Sequence, residues 1–299
     1  MPAIRLDGLT KSYGKARGIV DVDLVVTPGE VFGFLGPNGA GKTTTIRTLL
    51  DLIRPTSGKA EVLGLDSTKD SLEIRRRVGY LPGDLALWEW MTTRQLLEHL
   101  GRLRGGIDTR YRDELLERFA VEPDRKIENL SSGNKQKVGI IQAFMHKPEL
   151  IILDEPTAGL DPLMQHATYE VIEEARAEGR TVFLSSHVLP EVERIAERVG
   201  IIRNGRVIEV ETVENLKART VRQLEVRFGA HAPTTAALRA VGGVTEATVS
   251  GDSAYVRIEG SMDPLVKVLA AYEVRSLRTH ETPLEDIFLA MYRGADDAG

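Results

Sequence analysis

The chain has 299 residues, of which 42% are hydrophobic and 28% charged, and its formal net charge is -5. This length and balance fit one large domain plus a small one and exclude wholesale disorder. The negative net charge provides no overall field for nucleic acid, which is not expected as a partner, and the lack of cysteine excludes disulfides, thiolate metal sites and cysteine nucleophiles.

The first 215 or so residues alternate short apolar runs with longer amphipathic ones, which predicts an α/β domain. Continuous apolar runs at 31–36, 150–155 and 181–186 predict buried strands of a mainly parallel sheet. Residues from about 85 to 147 have a helical pattern and predict a helical subdomain inserted between two core strands. No apolar run reaches about 18 residues, and the N-terminal residues do not resemble a signal peptide, so we expect any membrane role to come through a partner.

A phosphate-binding loop follows the first buried strand. The segment GPNGAGKTT matches the pattern G-x-x-x-x-G-K-[ST] between a strand and a helical pattern. Its glycines let the backbone present N–H groups to phosphate oxygens, Lys42 can reach the β- and γ-phosphates, and the Thr43 hydroxyl can bind Mg²⁺. The predicted nucleotide-binding residues here are Gly36, Pro37, Asn38, Gly39, Ala40, Gly41, Lys42, Thr43 and Thr44.

Two acidic residues end the strand at 150–155. A carboxylate from Asp154 can hold Mg²⁺ across from Thr43. The next carboxylate, from Glu155, can act as general base on the attacking water. Together with the phosphate loop, this pair predicts nucleotide hydrolysis, although kinases, GTPases and other ATPases remain open at this point.

A second anion site is predicted within LSSGNKQKV at 130–138. Ser131, Ser132 and Gly133 precede a helix expected to begin near Asn134, and a helix N-terminus with hydroxyls and free N–H groups attracts anions. A simple capped helix start is the alternative.

From about residue 222 the pattern changes to β-α-β-β-α-β, which predicts a small ferredoxin-like α+β module with a hairpin turn near Gly251. A last amphipathic segment at 283–292 is predicted to be a helix. We therefore predict a nucleotide-binding domain over 1–219 and an accessory domain over 220–299.

With AGLD at 158–161 and SSH at 185–187, these motifs resemble those of ABC (ATP-binding cassette) ATPases, in the family's order and over about residues 4–215. The resemblance implies an ATP-hydrolysing subunit of a transporter that uses ATP and Mg²⁺. It also implies a dimer of two copies, with each ATP between the phosphate loop of one and the signature helix, LSSGN here, of the other.

The same resemblance implies roles for single residues. Lys42, Glu155 and His187 form the catalytic set, with His187 contacting the γ-phosphate and orienting the water. Asp161 lies at the dimer seam, and Tyr13 stacks on adenine, the alternative being an ordinary strand tyrosine. The signature residues that contact the partner's ATP are Ser131, Ser132, Gly133 and Asn134.

Two departures from the family's usual motifs stand out. Gly83 occupies the position of a glutamine that helps bind Mg²⁺ and water, so we expect slower or loosely coupled hydrolysis unless water or Asp84 fills the gap. The signature reads LSSGN where LSGGQ is usual, and we expect its anion site to survive.

The region from Gly83 to Met91, including Trp88 and Trp90, corresponds to the surface that receives the permease in this family, which would place the chain at the cytoplasmic face of the plasma membrane. Burial of both tryptophans in the core is the alternative. The C-terminal module resembles that of drug and antibiotic exporter ATPases with a separate permease chain, where it serves dimer contact or regulation, or adds stability alone. Competing functions are a soluble ABC ATPase acting on ribosomes or DNA, a small-molecule kinase and an importer ATPase.

Overall fold

The computed structural model describes residues 1–14, 16–218, 222–229 and 231–281. The chain divides into two compact units, Met1–Glu211 and a second one that begins at Thr212. The sequence predicts the boundary at residue 220. The observed boundary comes earlier than the predicted one because the helix Val213–Ala218 belongs to the second unit.

The first unit contains two sheets. Its strands are β1 (Ile4–Tyr13), β2 (Ala16–Val26), β3 (Val31–Leu35), β4 (Ser57–Val62), β5 (Leu65–Asp66), β6 (Val78–Leu81), β7 (Leu150–Asp154), β8 (Thr181–Ser186), β9 (Arg198–Arg203) and β10 (Arg206–Thr212). Its helices are α1 (Lys42–Leu49), α2 (Ser71–Arg77), α3 (Thr93–Leu103), α4 (Thr109–Arg118), α5 (Ser132–Phe144), α6 (Pro162–Ala177) and α7 (Leu189–Ile195).

The central sheet has the strand order β10-β9-β3-β8-β7-β6. Four neighbouring pairs in this order are parallel: β9 with β3, β3 with β8, β8 with β7, and β7 with β6. The three strands predicted from apolar runs, β3, β7 and β8, are neighbours in this sheet, and every residue in them is buried. The predicted α/β fold is therefore confirmed, because strands covered on both faces by other elements need continuous apolar sequence.

A second, antiparallel sheet has the order β2-β1-β4-β5. The apolar side chains of β1 and β2 join those of β3 and α1 in one core. In this core the rings of Phe32 and Phe183 stack with centroids 5.8 Å apart, which fixes β3 against β8. The two sheets of the first unit therefore share one core.

A helical segment lies between β6 and β7, as the sequence predicts, and comprises α3, α4, a short 3-10 turn at Ile127–Asn129, and α5. The start of α3 is fixed by a capping box, in which Thr92 and Gln95 satisfy each other's backbone N–H groups. Ser131 caps α5 by accepting a hydrogen bond from the N–H of Asn134. The predicted start of this helix near Asn134 is therefore wrong by two residues, since a capping serine leaves the next residue as the first of the helix.

The second unit contains α8 (Val213–Ala218), β11 (Arg222–Phe228), α9 (Thr235–Arg239), β12 (Val244–Ser250), β13 (Ser253–Ile258), α10 (Asp263–Leu269) and β14 (Val274–Glu281). Its antiparallel sheet has the order β12-β13-β11-β14, and from β11 on the elements follow the predicted β-α-β-β-α-β order. Gly251 turns the β12–β13 hairpin with φ 61°. The predicted helix at 283–292 lies outside the described residues.

Over the described ranges, no helix has the length and apolar character needed to cross a bilayer.

Candidate active site

Three parallel strands place the predicted site residues at one edge of the central sheet. β3, β7 and β8 run side by side and end at Leu35, Asp154 and Ser186. The phosphate loop, Glu155 and His187 directly follow these ends. Open α/β sheets bind ligands at the carboxyl ends of their strands, so this edge is where a site is expected.

The phosphate loop connects β3 to α1 and is shaped by its glycines. Gly39 and Gly41 have φ 78° and 116°, in the region that favours glycine. A Cβ atom on Gly36 would lie 2.4 Å from the carbonyl oxygen of Ile202, so a larger residue would displace the loop from the sheet. The loop delivers the chain into α1, whose first N–H groups have no acceptor within the helix. This helix start is suited to a phosphate.

Lys42 is buried and lies under the loop. Its Nζ atom donates hydrogen bonds to the carbonyl oxygens of Gly36, at 2.6 Å, and Pro37, at 3.3 Å. The same nitrogen is 3.1 Å from Oε1 of Glu155. The cation is thus held between the loop and the carboxylate that follows β7.

Asp154 is fully buried at the end of β7, and two hydroxyl groups fix its carboxylate. Thr43 Oγ1 donates to Oδ2 at 2.8 Å, and Ser185 Oγ donates to Oδ1 at 2.5 Å. The predicted pair of Thr43 and Asp154 is therefore in contact. Both supply oxygen atoms, which are the ligands Mg²⁺ prefers, and phosphates and water commonly complete such a shell.

Glu155 lies between two basic groups, since its Oε2 atom is 2.8 Å from Nδ1 of His187 and its Oε1 atom faces Lys42. Its backbone adopts φ 53°, which is uncommon for a residue with a side chain. Hydrogen bonds hold this conformation: its N–H donates to both the carbonyl and the hydroxyl of Ser185, at 3.2 Å each, and its carbonyl accepts from Gln136 Nε2 at 3.2 Å. The carboxylate is thereby aimed into the cleft from a fixed backbone.

The phosphate loop, Asp154 and Glu155 line a cleft of about 420 Å³ that extends to Gly83 and Ala158. The predicted catalytic residue His187 does not line this cleft and adjoins it through its contact with Glu155. Among the predicted nucleotide contacts that the structure describes, Gly36 and Ala40 of the phosphate loop, Tyr13 and the signature residues 131–134 do not line it. Tyr13 is half-exposed at the end of β1, where Lys11 Nζ lies 5.3 Å from its ring centroid. Asp161 caps α6 through the N–H of Met164, at 3.0 Å, and is also outside the cleft.

The Gly83 region borders the cleft and continues into an exposed loop. Asp84 pairs with Arg47 at 3.2 Å and does not contact Asp154. Trp88 and Trp90 are 45% and 68% exposed, whereas Met91 is buried. The alternative that both tryptophans belong to the core is therefore wrong.

Sequence reasoning missed several residues that shape the site. Gln136 lies within the signature stretch, but no spacing rule predicts that its amide crosses to the turn after β7 and also binds the carbonyl of Pro156, at 3.1 Å. Tyr80, on β6, is another: burial raises its pKa to about 12, and the Asp154 charge adds to the effect. Contacts between residues so far apart in sequence leave no local signal.

Comparison with known proteins agrees with this geometry. Residues 19–158 match the family model described as ABC transporter. The chain is 34% identical over 293 residues to a daunorubicin resistance ATP-binding protein of Streptomyces coeruleorubidus, covering 96% of this chain and 91% of the relative. It is 39% identical over 228 residues to a bacitracin transport ATP-binding protein of Bacillus licheniformis, covering 75% of this chain and 74% of the relative.

Solved structures show the same fold. An ATP-binding subunit of an ABC transporter superposes with a TM-score of 0.68 at 33% identity, covering 72% of this chain and 92% of that one. A bacterial ABC transporter cassette solved as a dimer gives a TM-score of 0.64 at 25% identity, covering 70% of this chain and 98% of that one.

Proposed function

The chain belongs to the ABC transporter family as an ATP-binding subunit, and on that premise we propose that it hydrolyses ATP to drive export of an antibiotic or similar hydrophobic compound through a separate permease. The observation that carries the proposal is the meeting of Lys42, Glu155 and His187 at the ends of three parallel strands. The names of the relatives, which refer to bacitracin transport and daunorubicin resistance, support the export direction.

In the proposed reaction, the N–H groups of the phosphate loop and α1 bind the phosphate oxygens, and Lys42 neutralises charge on the β- and γ-phosphates. Glu155 accepts a proton from the attacking water. His187 keeps the Glu155 carboxylate in place through the 2.8 Å contact. As the family resemblance implies, His187 would also contact the γ-phosphate. The products are ADP and phosphate.

Thr43 and Asp154 would hold Mg²⁺, since their oxygens are in contact and face the cleft. When bound, this ion would supply positive charge that neutralises the phosphate oxygens. The hydrogen bond from Ser185 keeps Asp154 oriented for that role.

A second copy of the chain would complete the site. The residues concerned are Ser131, Ser132, Gly133, Asn134 and Asp161, which lie outside the cleft of their own chain. Ser131 and Ser132 stand exposed at the start of α5, a helix end suited to a phosphate. Closure of two copies would bury ATP between this end and the partner's phosphate loop, exclude water, and strengthen the charge interactions there. Tyr13 would stack on the adenine.

The permease would dock at the loop from Gly83 to Met91, where two exposed tryptophans offer the aromatic area typical of interface hot spots. This loop also borders the cleft, so docking and hydrolysis share one segment. The chain would then work at the cytoplasmic face of the membrane.

The proposal is tested by co-purifying the chain with its permease in vesicles and measuring phosphate release and antibiotic transport, with Lys42→Ala as the inactive control. We expect transport out of the ATP-containing compartment, and loss of both activities in the control. Co-purification with ribosomes or DNA, phosphoryl transfer to a small molecule, or uptake in place of export would each contradict it.

A further inference from the structure

One carboxylate outside the cleft connects the two segments that carry Glu155 and His187. Glu191, in the first turn of α7, accepts a hydrogen bond from Thr157 Oγ1 at 2.7 Å through Oε1. Its Oε2 atom accepts a second one from Ser186 Oγ at 2.9 Å. Each hydroxyl thus contacts its own oxygen of the same carboxylate.

The two hydroxyls are close in sequence to the reacting groups. Thr157 follows Glu155 by two residues, and Ser186 directly precedes His187. Ser186 Oγ also accepts the N–H of Val188, at 2.9 Å, so the turn around His187 is tied to the same oxygen. The bridge through Glu191 therefore adds a link between the two backbone segments beyond the β7–β8 pairing, next to the 2.8 Å contact of Glu155 with His187.

Both hydroxyls are removed from water, with Thr157 5% exposed and Ser186 fully buried. Without Glu191, Ser186 Oγ would keep only its longer hydrogen bond to the Val188 carbonyl, at 3.4 Å, and the two segments would lose the link between them. On the other side of the turn, Gln136 holds the carbonyls of Glu155 and Pro156 to α5. Glu191 differs from Gln136 in reaching both the Glu155 segment and the His187 segment.

We infer that Glu191 is a positioning residue for hydrolysis, which acts by bridging Thr157 and Ser186 and so keeps His187 against Glu155. The inference rests on the proposed ATPase function. It assigns Glu191 no contact with nucleotide, so binding of ATP should not depend on it, whereas the rate of the chemical step should.

Two conservative variants separate bridging from charge. Glu191→Gln keeps the length of the side chain and can accept from one hydroxyl and donate to the other. Glu191→Asp keeps the charge but is too short to span both hydroxyls. We expect kcat to fall about tenfold or more in Glu191→Ala and Glu191→Asp with KM for ATP within about twofold, and to stay within about threefold of wild type in Glu191→Gln.

The test is a steady-state ATPase assay of the complex with the permease, together with the thermal midpoint of each variant. Glu197→Ala is the matched control, because Glu197 is also acidic, lies just beyond α7 and pairs with Arg176. A double variant with His187→Ala should lose little more than His187→Ala alone, since both act on one arrangement. If Glu191→Ala does not fold, Thr157→Val and Ser186→Ala replace it in the test. Each of these variants removes one of the two hydrogen bonds to Glu191.

An unchanged kcat in Glu191→Ala, additive losses in the double variant, or rescue by Asp but not by Gln would overturn the inference. An inactive wild-type complex would contradict the proposed function itself. Failure of the inference about Glu191 and failure of the proposed function therefore give different results.

Discussion

Gly83 faces the carboxylate of Asp154 so closely that a Cβ atom at position 83 would lie 3.2 Å from Asp154 Oδ2. A side chain placed there would begin beside the carboxylate that we propose to hold Mg²⁺. The resemblance to ABC ATPases leads us to expect a glutamine at this position. Asp84 does not fill that place, because it pairs with Arg47 and is largely exposed.

Gly83→Gln should raise permease-stimulated ATP turnover several-fold, because the amide oxygen adds a ligand for Mg²⁺ or the attacking water. The contact at 3.2 Å requires Asp154 or the Gly83 backbone to shift by a few tenths of an ångström, and Gly83 does not have a positive φ, so its backbone conformation admits a side chain. Gly83→Ala adds bulk without an amide and is the control. Equal turnover in Gly83→Gln and wild type, with and without permease, would refute this effect.

Glu155→Gln should lower ATP turnover by about a hundredfold or more, because an amide cannot accept the proton of water. The variant also removes the negative charge beside Lys42, so ATP should bind at least as tightly. Phosphate release and nucleotide affinity measured on the same sample check both statements. If the variant hydrolysed ATP at the wild-type rate, Glu155 would not be the general base.

Thr43→Val should raise the Mg²⁺ concentration needed for half-maximal ATPase activity about tenfold, since it deletes one proposed ligand while preserving shape. Nucleotide affinity measured in EDTA should change little. Thr48→Val is the control, because Thr48 donates to the Thr44 carbonyl on the same helix and lies away from Asp154. An unchanged Mg²⁺ requirement in Thr43→Val would exclude this hydroxyl from the shell.

His146 should make the first unit less stable at mildly acidic pH. Burial, helped by the Arg104 and Arg180 charges, lowers the pKa of His146 from 6.5 to about 4. Between these values the unfolded chain binds a proton that the folded one does not, so stability is full above pH 6.5 and falls as pH drops toward 4, by about 3 kcal/mol in all.

The measurement is chemical unfolding at pH 7.5 and pH 5, followed by tryptophan fluorescence, since both tryptophans belong to the first unit. His146→Gln lacks the titrating ring and should lose less stability over this interval. An identical loss in variant and wild type would exclude His146 as the source.

The sequence predicts much of the fold because buried parallel strands and phosphate loops have strong local patterns. The runs at 31–36, 150–155 and 181–186 correspond to neighbouring strands, since a strand buried on both faces must be continuously apolar. The contact of Thr43 with Asp154 follows from the same logic, because Asp154 ends β7 and Thr43 lies at the start of α1, just after the loop that follows β3.

Other features depend on contacts that sequence patterns do not encode. Gln136 and Glu191 are polar helix residues of ordinary appearance, and their roles emerge when α5 and α7 pack beside the turn after β7. The sequence alone does not decide whether Trp88 and Trp90 are buried or exposed, because large aromatic residues occur both in cores and on binding surfaces. The start of α5 at Ser132 depends on which of two adjacent serines caps the helix.

The central claim is that two copies of this chain enclose ATP between Asn38 of one phosphate loop and Ser132 of the other copy, and cross-linking tests it most directly. The chain has no cysteine, so Asn38→Cys and Ser132→Cys can be made in separate Glu155→Gln chains, mixed, and treated with a short thiol cross-linker. We predict a cross-linked pair that forms with ATP and disappears without it. No ATP-dependent pair, even in the presence of the permease, would contradict the account.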